Sequence, residues 1–262
     1  MNRSDGVAGQ SSGAAVVDST SVAEGASAHA AARTSRAWLV IALVTFAAFG
    51  ALTLLVAGRV NLWFDQPLLD LAHGLAGFAA LWNFVSDAAN YPMIAVGVGI
   101  VLWLLKAHRR REAALVVAVL AAATAGSELV KLLVARPRPI PTLVEGVVFS
   151  YPSGHVLEAL TIFGIIGLLI WRNASPRPVR VAIAVLFTIL VVIVGIARVA
   201  LAAHYPSDVL GGALAGIGVL ATFAWLTSPH SAGPSSEPAS AAEAGLSSTS
   251  SPVTDVPTIE RR

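Results

Sequence analysis

The chain has 262 residues, 56% of them hydrophobic and 12% charged, with a net charge of +2 and no cysteine. A soluble domain carries about 25% charged residues; here the apolar residues are gathered into long runs, which predicts a polytopic membrane protein. The composition excludes disulfides, thiolate metal sites and a cysteine nucleophile, and without a basic stripe outside short loops no nucleic-acid partner is expected.

Residues 1–35 are rich in Ser, Ala and Gly with scattered charge, and are expected to form a disordered tail. The apolar run begins too late, and without a basic start, for a signal peptide. Six candidate spans follow, at residues 38–57, 91–105, 112–135, 156–171, 181–199 and 208–227, each near the roughly 20 residues a bilayer requires. Between the first two, residues 68–90 place apolar side chains at helical spacing among Asp70, His73 and Asp87, which predicts an amphipathic helix lying at the interface. Residues 229–262 contain five prolines (Pro229, Pro234, Pro238, Pro252 and Pro257) and form a second expected tail. The expected architecture is all-α: a transmembrane domain over residues 36–228 with about six spanning helices and one interfacial helix.

Loop charge sets the expected orientation. Arg33 and Arg36, then Lys106 with Arg109, Arg110 and Arg111, then Arg172, Arg177 and Arg180, and finally Arg261 and Arg262 fall on alternate flanks. The positive-inside rule places that set, and both termini, in the cytoplasm of a multi-pass cell-membrane protein. The opposite face receives Asp65, Asp70 and Asp87, but also Lys131, Arg136, Arg138 and Arg198, which break the pattern. Ionisable groups at a membrane are costly and mark function.

Those cations stand in three segments with two histidines. Lys131 and Arg138 end the third span, where Pro137 and Pro139 disfavour a continued helix and predict a stiff segment folding back. Pro152-Ser153-Gly154-His155 opens the fourth span. Gly154 permits close backbone approach, Ser153 is placed to cap the helix, and helix-start N–H groups favour an anion. Arg198, His204 and Asp208 lie between the fifth and sixth spans, with Asp208 placed to orient the imidazole. Each segment alone has a plainer explanation: snorkelling cations, a capped turn with an interfacial histidine, and a capping aspartate beside a bystander histidine. A metal held by His155, Glu158, His204 and Asp208 fits the residue types but not the surrounding cations, which suit a tetrahedral oxyanion. Glu128 is spaced to pair with Lys131, Glu158 to enter the network of His155, and Arg136 to touch a substrate. Gly212 and Gly216 form a small-xxx-small helix-packing pair. Trp63, Trp82, Trp103 and Trp171 resemble interface anchors.

Together the segments resemble the three-part signature of the phosphatidic acid phosphatase type 2 superfamily: Lys131 with Arg138-Pro139, then Pro152-Ser153-Gly154-His155, then Arg198 with His204 and Asp208. The resemblance covers residues 37–227. Two positions depart from it, Ala197 where a serine is usual and Val156 where a threonine is common, so altered rate or selectivity is expected rather than inactivity. The resemblance implies a membrane phosphatase acting on a lipid phosphate or polyprenyl diphosphate, with its site on the extracytoplasmic side. His204 would be the nucleophile, Asp208 its orienting group and His155 the acid. Lys131, Arg138, Ser153, Gly154 and Arg198 would bind phosphate, with no metal or other cofactor. A phosphotransferase using the same site, a non-catalytic lipid-phosphate binder or transporter, and a vanadium haloperoxidase share the oxyanion logic. The apolar spans speak against the last, which is soluble.

Overall fold

A computed structural model describes residues 19–88, 91–143, 149–173 and 176–228. Among the described residues eight α-helices follow in order: α1 (Ser19–Ala57), α2 (Asp65–His73), α3 (Ala79–Ala88), α4 (Tyr91–Lys106), α5 (Arg110–Val134), α6 (Gly154–Arg172), α7 (Arg177–Ala200) and α8 (Pro206–Leu226). Six helical stretches among the described residues are long and apolar enough to cross a membrane: His29–Ala57, Ala76–Lys106, Arg110–Val134, Gly154–Arg172, Arg177–Ala200 and Pro206–Leu226. The all-α class and the number of spans therefore stand, but the second, expected at residues 91–105, begins at Ala76 and takes in α3, half of the segment expected to lie at the interface. Only 11% of the most apolar window of α7 is buried inside the protein, and Val185, Ile189, Val192 and Ile196 form an exposed apolar stripe along it. Such a surface belongs in lipid.

Two expectations need correction. α1 begins at Ser19, well inside the segment expected to be a disordered tail through residue 35. Residues 23–32 contain six alanines, and alanine is the strongest helix former, so the apolar run propagates backward as helix. Residues 1–18 and 229–262 lie outside the described residues. The single amphipathic helix over residues 68–90 is instead α2, a 3-10 turn (Ala76–Phe78) and α3. Gly74 and Gly77 weaken the helix there. The Leu75 carbonyl accepts both the Phe78 N–H at 3.0 Å and the Trp82 indole N–H at 2.9 Å.

Close packing of α6 on α8 brings the site segments together. A Cβ on Gly212 would collide with the Ser153 carbonyl, and one on Gly216 would lie 3.1 Å from the Leu157 carbonyl; the small-residue pair is a packing surface, as its spacing implies. α1 packs on α8 through Phe46, whose ring would meet a Cβ on Gly218 at 2.9 Å. Near the site, Leu52, Val56 and Tyr151 cluster with Val130 and Leu214, and Tyr151 bonds Thr53 at 3.0 Å.

The charged loops separate to two ends of the bundle. At one, Arg109 pairs with Glu112 at 2.6 Å, Arg111 donates to the Leu226 carbonyl at 3.2 Å, and Arg172 donates to Thr227 at 2.7 Å. At the other gather the ends of α5 and α7 and the starts of α6 and α8. Trp63, Trp103 and Trp171 are exposed.

Candidate active site

α5 ends where Ala135 turns left-handed at φ 47°, its N–H on the Lys131 carbonyl. Pro137 and Pro139 cannot continue the helix, and the chain doubles back so that Pro137 bridges Phe149 and the Ser150 N–H reaches the Arg136 carbonyl at 2.9 Å. That return places Lys131 and Arg138 beside Ser153-Gly154-His155. A Cβ on Gly154 would lie 3.5 Å from Lys131 Nζ, so glycine leaves the room the cation occupies. Lys131 is held by Glu128 at 2.5 Å, the pairing their spacing suggests.

Beyond α7 the chain wraps the Arg198 carbonyl, which accepts the Ala203 N–H at 3.0 Å and the His204 N–H at 3.2 Å. Leu201, Ala202, Ala203 and His204 are all buried. His204 Nδ1 sits 2.6 Å from the Ser150 carbonyl. A carbonyl only accepts, so Nδ1 carries the proton and Nε2 the lone pair. This corrects the expectation that Asp208 makes that hydrogen bond. Asp208 Oδ2 is 3.7 Å from Nδ1, an ion-pair distance, while the same atom accepts the Tyr205 N–H at 2.8 Å and caps α8. Burial, with Arg198 adding to it, pushes the His204 imidazole down to about 4, against the pull of Asp208.

The three segments meet. His155 is within electrostatic reach of Arg198, His204, Lys131 and Arg138, so the expected phosphate-binding cations and both histidines come together at one site. Arg138 Nε and Nη1, Arg198 Nε and Ser153 Oγ are buried with no hydrogen-bond partner in the protein. Burial lowers the Arg138 guanidinium below its ordinary value, with Asp208 opposing. Ser153 is not the side-chain cap expected of it: no cap hydrogen bond forms. Glu158 does not join His155; the partner the structure gives it is Thr124 Oγ1, at 3.4 Å.

Four neighbours of the site have partners that the sequence does not reveal. Arg136 faces inward to carboxylates, not toward the shared space: it donates to Asp208 at 2.5 Å, to Asp65 at 2.8 Å and to Ser207 at 2.7 Å, and stacks 3.9 Å over Tyr205. Burial opposes its charge, yet Asp208 and Asp65 together hold its pKa above the ordinary value. Asp65 also accepts the Ser207 N–H at 2.8 Å. Ser86 of α3 accepts from Arg198 at 2.5 Å, and Ser150 offers its carbonyl to His204 while its hydroxyl donates to the Pro137 carbonyl at 3.2 Å. The unmatched charges Arg136 and Asp65 on one face were the available signal for their pairing.

This geometry defines an all-α membrane protein with a neutral histidine in a cationic pocket at one end of its bundle. Residues 112–231, which carry all three signature parts, match the model of the PAP2 superfamily. The chain is 31% identical over 88 residues to phosphatidylglycerophosphatase B of Bacillus subtilis (strain 168), covering 33% of this chain and 43% of that protein; the match thus spans less than half of the curated relative. A crystal structure described as the first transmembrane PAP2 type phosphatidylglycerolphosphate phosphatase from Bacillus subtilis aligns with TM-score 0.56 at 19% identity, over 71% of this chain and 94% of that one, which shows a shared fold. LpxE of Aquifex aeolicus aligns with TM-score 0.49 at 17% identity, over 62% and 96%.

Proposed function

We propose that the protein is a membrane lipid phosphatase, hydrolysing a lipid phosphate monoester or polyprenyl diphosphate through a phosphohistidine and without a metal. One observation carries this reading: a buried His204, with Nδ1 committed to the Ser150 carbonyl at 2.6 Å, stands within electrostatic reach of Arg138 and Arg198, which have buried guanidinium nitrogens with no partner in the protein. Binding alone needs the cations; a tautomer with a free lone pair beside them is what a nucleophile needs.

His204 Nε2 attacks phosphorus as the phosphorus–oxygen bond to the lipid breaks, and His155 delivers a proton to the departing oxygen. The phosphoimidazolium is stabilised by Asp208, 3.7 Å from Nδ1. Lys131, Arg138 and Arg198, with Ser153 and the Gly154 backbone, neutralise the equatorial oxygens. Water then attacks phosphorus, the phosphorus–nitrogen bond breaks, and His155 takes the water proton, restoring both histidines. Phosphatidylglycerophosphatase activity in the Bacillus subtilis relative supports a lipid phosphate as substrate.

The test is phosphate release from lipid phosphates and diphosphates by detergent-purified protein with chelator present. Release that survives chelation and is lost in His204→Ala is expected; release that requires added metal, or persists in His204→Ala, overturns the mechanism.

A further inference from the structure

Glu158 is a carboxyl group at membrane depth that neither the signature nor the proposed chemistry uses. It lies on α6 three residues beyond His155, so the two share a helix face, Glu158 about 4.5 Å deeper along the axis. It lines a lateral groove of about 690 Å³ between α4, α5 and α6, whose walls are otherwise apolar apart from Thr124, with Val101, Val117, Leu120 and Ile162 among them. Thr124 Oγ1 is its hydrogen-bond partner at 3.4 Å, long for an O–H···O bond, and a carboxyl group has capacity for several more. The nearby Lys131 ammonium bonds Glu128 at 2.5 Å.

Glu158 is the groove residue nearest in sequence to the anion site, three residues from His155. Glu158 feels the charges of Lys131 and Glu128, and Lys131 Nζ would lie 3.5 Å from a Cβ on Gly154, next to His155. A carboxyl group in a membrane span is costly and rarely kept for packing. Here it stands one helical turn below the group assigned to protonate the leaving oxygen, at the head of an apolar channel that suits an acyl chain.

We propose that Glu158, supported by Thr124, is a specificity-determining residue: it accepts a hydrogen bond from a hydroxyl adjacent to the phosphoester carbon of the lipid, whose apolar chain lies along the groove. The favoured class is then a lipid phosphomonoester with a free vicinal hydroxyl, over isoprenyl phosphates, which have none. The assignment rests on the phosphatase reading above.

The experiment compares kcat/KM for 1-oleoyl lysophosphatidic acid and its 2-deoxy analogue, an oleoyl propanediol phosphate, in wild type, Glu158→Gln and Glu158→Leu. Wild type is expected to favour the hydroxylated substrate on the order of 10-fold or more. Glu158→Gln, which keeps an acceptor oxygen, retains most of that ratio, and Glu158→Leu brings it near one. Turnover of both lipids by wild type at equal kcat/KM, or an unchanged ratio in Glu158→Leu, overturns the specificity role alone. Should Glu158→Leu fail to fold, Glu158→Met gives the same readout: a ratio near one is expected, and an unchanged ratio overturns the role. No phosphate release from either lipid by wild type overturns this role and the phosphatase reading together.

Discussion

His204 is committed before any substrate arrives. Its Nδ1 proton is spent on the Ser150 carbonyl at 2.6 Å, and burial holds its pKa at about 4, below the ordinary 6.5. Between those two values an unfolded chain binds a proton at this position that the folded one does not, so stability rises with pH across that window and is lost as pH falls toward 4. Side-chain ¹⁵N NMR of the substrate-free protein in detergent should show a neutral, Nδ1-protonated His204 at pH 6, titrating near 4. Thermal unfolding between pH 4.5 and 7 should lose less toward acid in His204→Asn than in wild type. A His204 that titrates near 6.5 would count against the buried, carbonyl-locked imidazole. The identity of His204 is legible in the sequence because Arg198, His204 and Asp208 keep a chemically specific spacing. Its true partner is not, since a backbone carbonyl 54 residues away leaves no mark in side-chain identity.

Helices are legible where hydropathy and proline placement agree, which is why the ends of α5 through α8 fall within a few residues of their expected places. The break between α2 and α3 depends on the Leu75 carbonyl finding the Trp82 indole at 2.9 Å, and the Arg136–Asp65 pair on a contact 71 residues apart; both are tertiary and escape a window along the chain. That pair couples elements. Asp65 at the start of α2 bonds the Ser207 N–H at 2.8 Å in the first turn of α8, while Arg136 in the α5–α6 connection bonds Asp65 and Asp208 together. Asp65 and Asp208 are buried, so removing the guanidinium strands two carboxylates in a low dielectric. Arg136→Met is expected to cost about 3–5 kcal/mol, read as a lowered Tm in detergent. A Tm within a degree or two of wild type would show that the three elements do not depend on this bridge.

At the scale of the whole molecule, the charge sorting that orients the chain and the pocket that would carry its chemistry are one arrangement. Arg109, Arg111 and Arg172 are tied to partners at one end of the bundle, whereas Arg136 is tied to Asp65 and Asp208 at the other, so each end has its own cations, and those of the site end accompany His155 and His204. The positive-inside rule weighs cations on short cytoplasmic loops; at the site end Arg136 is neutralised by Asp65 and Asp208 and Lys131 by Glu128, which leaves fewer unpaired cations there to compete for orientation. We therefore propose that the site end faces outward. The absence of native cysteine makes the test clean. Leu143 at the site end is 46% exposed, and a Leu143→Cys protein in intact cells should react with a membrane-impermeant maleimide. A His108→Cys protein, at the opposite end, should react only after the membrane is permeabilised. The reverse pattern would put the pocket in the cytoplasm and require its substrate to be presented from the inner leaflet.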